Sequence, residues 1–72
     1  MNIINMDNRG LSPPEPLLRI LAACEELPSG DRIEAKMDRQ PIFLFPELVD
    51  RGFAYECVRR EDGSYLLTVE HA

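Results

Sequence analysis

A chain of 72 residues, 44% hydrophobic and 29% charged, is expected to make one folded domain, and its balance excludes a disordered segment. Thirteen acidic against eight basic residues leave a net charge of −5. That sets aside nucleic acid and anionic membranes, which are held largely by excess Lys and Arg. Folding at this size hides only roughly 60% of the unfolded surface, so most Leu, Ile, Phe and Val must serve the core and any site should be a shallow groove.

The N-terminus, Met1 to Gly10, lacks the positive flank and apolar run of a signal peptide. The longest apolar stretch, Leu17 to Cys24, is interrupted by Arg19 and too short to span a bilayer. Two cysteines without a secretion signal point to reduced thiols and a cytoplasmic location. No C-x-x-C and no Cys/His cluster is present, so neither a metal nor a cofactor is expected.

In chain order, Asn2 to Met6 reads as a short strand, with Ile4 and Met6 on one face. A helical pattern runs from Ser12-Pro13-Pro14-Glu15-Pro16 to Leu27, with Leu17, Ile20, Leu21, Cys24 and Leu27 on one apolar face. Ser12 and Glu15 have the spacing of a capping box, whereas the pre-proline restriction places Pro13 and Glu15 outside the helix, which leaves its start open by about a turn. Pro28-Ser29-Gly30 ends the helix. Arg32 to Met37 alternates as a half-buried strand, with Ile33, Ala35 and Met37 inward and Ile33 expected opposite Leu21. A second helical segment covers Ile42 to Arg51, and Pro46 suggests a turn followed by a helix beginning near that proline. Phe53 to Arg59 and Ser64 to Glu70 are two strands joined across Glu61-Asp62-Gly63.

Strand, helix, strand implies a right-handed crossover and a parallel first pair. The expected fold is α+β: a two-layer α/β sandwich of order β-α-β-α-β-β, with two helices on one face of a four-stranded mixed sheet.

Such sheets gather loops and helix N-termini beyond the C-terminal strand ends. Here that places Asp7, Asn8, Arg9 and Gly10 beside Asp38, Arg39 and Gln40, with the Glu61-Asp62 turn joining them if the third strand runs parallel to the first. Two readings are open. In one, Arg9 and Arg39 furnish the charge of a site for an anion or a partner peptide. In the other, Asp7 and Asp38 cap their loops and both arginines are solvated. The run Phe43, Leu44, Phe45 lies beside the site, where one ring left off the sheet is a docking contact. Asp7 and Asp38 alone are weak ligands for a cation.

The stretch Asp7-Asn8-Arg9-Gly10-Leu11-Ser12-Pro13-Pro14-Glu15-Pro16 resembles the signature of the SirA-like (TusA) sulfur-carrier family, in which Gly-Leu is followed one residue later by Cys-Pro-x-Pro at the start of the first helix. Pro28-Ser29-Gly30-Asp31 and the order of elements fit as well. The similarity is closer to an uncharacterised branch with Pro-Pro-Glu-Pro and a later Asp-Arg-x-Pro-x-x-Leu-x-Pro-Glu-Leu, met here by Asp38 to Leu48. The resemblance implies the family's fold and a binding surface around Pro13, Pro14 and Glu15. It does not carry over the nucleophile. Position 13, where the family has its cysteine, is proline, and proline cannot hold a persulfide.

Cys24 and Cys57 fall on apolar faces, as small core hydrophobes do, and His71 near the C-terminus is expected to be frayed and solvated at the opposite end. The function expected is a non-catalytic module that binds another protein, or a small anion, at the N-terminal end of the first helix. The alternative is a participant in sulfur transfer, with a displaced thiol or one supplied by a partner. Oligomeric state is not legible.

Overall fold

The computed structural model describes residues 1–72. Its elements are β1 (Ile3–Asp7), α1 (Glu15–Glu25), β2 (Arg32–Met37), α2 (Leu44–Asp50), β3 (Phe53–Arg59) and β4 (Tyr65–His71). They form a four-stranded sheet of order β1-β2-β4-β3. β1 pairs with β2 in parallel, and β4 runs antiparallel to both β2 and β3. The expected α+β two-layer arrangement is therefore present. β1, β2 and β3 all run one way, so their C-terminal ends and the β3–β4 turn share one end of the molecule.

The core lies between sheet and helices. Ile33, Ala35 and Met37 of β2 and Leu67 and Val69 of β4 meet Ile20 and Cys24 of α1 and Leu44 and Leu48 of α2. The period-two alternation of β2 survives intact, with Ile33, Ala35 and Met37 buried. The deepest line of α1 is Ile20 and Cys24, continued by Leu27 just beyond the helix. Leu21, expected opposite Ile33, is only partly buried with Leu17. Ile20 takes the central place, fully buried, with Leu21 and Ala23 partly buried to either side of it.

Proline shapes both helix starts: the capping box expected at Ser12 and Glu15 is absent, while α2 follows a turn and begins near Pro46, as expected. Ser12 and Glu15 form no side-chain cap on α1; instead the Glu15 N–H donates to the Ser12 carbonyl at 3.0 Å. Pro13 lies outside the helix and Glu15 is its first residue. α2 begins at Leu44, two residues before Pro46. The first-turn N–H groups of a helix have no intrahelical acceptor, so proline costs nothing there.

The hairpin between β3 and β4 closes with Gly63 N–H to the Arg60 carbonyl at 3.0 Å and Arg60 N–H to the Ser64 carbonyl at 2.7 Å. Gly63 has φ +87, the left-handed conformation that ends a three-residue hairpin loop.

At the other end, His71 is not frayed. Its Nε2 lies 2.6 Å from the Leu27 carbonyl. Its ring sits 4.8 Å from that of Phe53, its cross-strand partner in β3. Ala72 N–H donates to the Gly52 carbonyl at 3.0 Å. Strand pairing through the last residues holds the histidine where the sequence, taken locally, shows only a chain end. No helix is long and apolar enough to cross a membrane.

Candidate functional site

β1 ends at Asp7, and Asn8 extends its pairing with β2 by donating its N–H to the Lys36 carbonyl at 2.9 Å. The Asn8 side chain is 1% exposed. Its Nδ2 donates to the sulfurs of Met6 at 3.2 Å and Met37 at 3.5 Å, while Oδ1 has no partner. A buried polar atom of this kind costs stability, and sequence periodicity gave no sign of it.

The next residues turn on two carboxylates. Asp7 Oδ1 accepts the Arg9 N–H at 3.1 Å and Arg9 Nε at 2.9 Å, and Oδ2 accepts Arg9 Nη2 at 2.8 Å. The Arg9 side chain and backbone together hold the Asp7 carboxyl well below the usual carboxylate range, and Asp7 in turn raises Arg9. Arg9 also lies in the field of Asp62 and Asp38. Asp38 Oδ2 accepts the Gly10 N–H at 2.6 Å, which ties the β1–α1 loop to the β2–α2 loop. Asp62 is lowered first by hydrogen bonds from the Ser64 side chain and backbone, then by the charges of Arg9 and Arg60. All three loops thus meet at this end. Yet Arg9 is already neutralised by Asp7, so it is not a free charge for an anion. Asp7 is likewise engaged, and no group of three or more His, Cys, Asp or Glu side chains stands close enough to hold a metal ion.

A groove of about 530 Å³ opens between the start of α1 and the β2–α2 loop. Of the residues singled out from the sequence, Asn8, Pro13, Pro14, Asp38, Arg39 and Gln40 line it; Asp7, Arg9, Gly10 and Glu15 do not. The remaining wall is apolar: Leu11, Pro16 and Leu17 on one side, Pro41, Ile42 and Phe43 on the other. Sequence reasoning marked Phe43 beside the site and took Leu17 for core, but passed over Pro16 and Ile42, for which the apolar run at residues 41–43 beside a polar loop was the available signal. Leu44 of the following run is buried, and Phe45 stacks on Tyr55 with ring centroids 4.3 Å apart. Phe43 has no such place and is 83% exposed, beside Ile42 at 57%.

The start of α1 offers few donors to a ligand. Pro14 and Pro16 have no N–H, and the Glu15 N–H is used by Ser12, so Leu17 carries the one first-turn N–H without a backbone acceptor. Pro13 brings no thiol or hydroxyl. Both cysteines are free and lie elsewhere, Cys24 buried and Cys57 half-buried. Burial pushes both thiols up from their ordinary value, away from the reactive thiolate.

The arrangement matches known proteins at two levels. A SirA-like protein from Desulfitobacterium hafniense has a solved structure that superposes with a TM-score of 0.75 at 22% identity, over 96% of this chain and 95% of that one. This establishes the shared fold. No curated protein matches the chain. The model of the family described as uncharacterized conserved protein (DUF2249) matches residues 5–71, and the chain belongs to that family.

Proposed function

We propose that this chain is a non-catalytic module on a sulfur-carrier-like fold, and that it recognises a partner protein through the groove at the N-terminal end of α1. The observation that carries this reading is the groove lining. Prolines, Leu11, Leu17, Ile42 and an 83% exposed Phe43 stand where the resembled carriers hold a thiol. Water is a poor solvent for such a ring, and an exposed aromatic beside a concave apolar wall is the usual anchor of a protein contact.

A small anion as sole ligand is less well supported. Arg9 is held by Asp7, and prolines remove donors from the start of α1. Sulfur transfer through a displaced thiol has no support in the placement of Cys24 and Cys57, which pack with the core rather than the groove.

The test is site-specific cross-linking in cells. A photo-reactive phenylalanine analogue in place of Phe43 is expected to yield one discrete cross-linked species. The same analogue at Val58, which is exposed on β3, is expected to yield none. Equal labelling at both positions, or none at Phe43, contradicts the reading.

A further inference from the structure

Charge at the groove wall specifies the partner further. Among the lining residues Arg39 is the one basic side chain and Asp38 the one acidic side chain. They are not equivalent. Asp38 is engaged, its Oδ2 taking the Gly10 N–H at 2.6 Å, and it lies in the field of Arg9. Arg39 is exposed and enters none of the ion pairs, which join Arg9 to Asp7, Arg32 to Glu34 and Arg51 to Glu47. The N–H groups of Arg39 and Gln40 donate to no backbone carbonyl. A guanidinium beside free N–H groups can meet a carboxylate with charge-assisted hydrogen bonds.

The molecule's net charge does not oppose this. At the end of the molecule that holds the groove, Asp7, Glu15, Asp38, Glu61 and Asp62 are matched by Arg9, Arg19, Lys36, Arg39, Arg59 and Arg60, of which Asp38 and Arg39 line it. Toward the opposite end Glu25, Glu26, Asp31, Asp50 and Glu70 outnumber Arg32 and Arg51, so the acidic surplus lies there. An acidic ligand is therefore repelled from the far end and tolerated at the groove. Size also limits the occupant. A groove of about 530 Å³ has room for a few side chains, whereas a stable interface between folded partners buries about 800 Å² on each.

Resting on the reading of the groove as a partner site, we infer that its occupant is a short acidic–apolar segment of a partner protein. Such a segment places one or two large apolar side chains between Leu11, Leu17 and Phe43 and sets an adjacent carboxylate on Arg39.

The probe is the blocked tetrapeptide Asp-Leu-Phe-Asp, titrated into the ¹⁵N-labelled full chain. Two controls accompany it, Asn-Leu-Phe-Asn and Asp-Ala-Ala-Asp. The expected result is saturable shifts confined to the amides of residues 11, 17 and 39–43. Affinity should fall about threefold with the uncharged peptide or on Arg39→Ala, the scale of one exposed ion pair. It should fall further with the alanine peptide, and added salt should weaken the acidic peptide alone. If Asn-Leu-Phe-Asn binds as well as Asp-Leu-Phe-Asp, and Arg39→Ala has no effect, the acidic class is overturned while the apolar groove stands. If neither apolar peptide shifts these amides, the reading of the groove itself fails. Arg39→Ala changes an exposed loop side chain, so its fold is retained and the comparison stays readable.

Discussion

The two ends of this small sandwich are finished differently. Where the helices end, Leu27 is buried, its carbonyl meets His71 Nε2 at 2.6 Å, the histidine ring lies 4.8 Å from Phe53, and Ala72 pairs with Gly52 at 3.0 Å. The backbone is tied down there, although Met1, Ile3 and Val49 remain exposed at that end without a groove beside them. Where the helices begin, Phe43 and Ile42 project into solvent, prolines line a groove, and Asn8 Oδ1 is buried without a partner. A domain of this size has little apolar surface to spare. Under the proposed reading, the phenylalanine left out at one end serves recognition, while the histidine contacts at the other serve stability.

Substitutions can break that division. The largest effect belongs to neither end but to the core on which both rest. Ile20→Ala should cost roughly 2–5 kcal/mol in urea denaturation, while Leu21→Ala at the rim should cost about 1 kcal/mol. The reverse order would place the helix face wrongly. At the closed end, His71→Ala removes a hydrogen bond and a ring contact and should cost about 1–2 kcal/mol. At the open end, Phe43→Ala should change stability by less than about 0.5 kcal/mol and still abolish binding of the apolar peptides. A large loss of stability with Phe43→Ala would make the ring structural and erase the contrast.

The acid limb gives a smaller, graded test. The folded-state values of Asp7 and Asp62 are depressed, chiefly by Arg9 and Ser64 respectively. Their contribution is therefore present above the ordinary carboxylate value near about 4 and is lost as pH falls through the depressed values. Thermal midpoints should decline below roughly pH 4, and Asp7→Asn should make that decline shallower. An unchanged acid limb would mean that the Asp7–Arg9 pair has no bearing on folding.

The parts of this fold legible from the chain were those that local chemistry decides. β2 shows its alternation because Ile33, Ala35 and Met37 face one layer, and its bounds, like those of β3, agree with expectation. Topology alone brought the loops after β1 and β2 to one end, as the Gly10–Asp38 hydrogen bond shows. What local reading missed depends on how side chains turn and on which neighbours the fold supplies. His71 looks like a loose terminus until β3 supplies Gly52 and Phe53. Leu21 looks central until the packing of sheet and helices gives that place to Ile20. Arg9 looks like a free charge until Asp7, two residues earlier, turns to hold it. Asn8 sits in a polar run and is nevertheless buried between two methionines. The groove lies at the end where topology gathers the loops, but its apolar wall, Leu11, Leu17 and Ile42, lay outside the polar residues that drew attention.

The central claim is that this end recognises and does not react. The most direct test is intact-mass measurement after incubating the reduced chain with a cysteine desulfurase and cysteine. With proline at position 13 and both thiols packed with the core, the chain should emerge without added sulfur, and Cys24 and Cys57 should label slowly with a thiol reagent at neutral pH. Stoichiometric persulfide on Cys24 or Cys57 would contradict the account and make the fold a carrier with a displaced thiol.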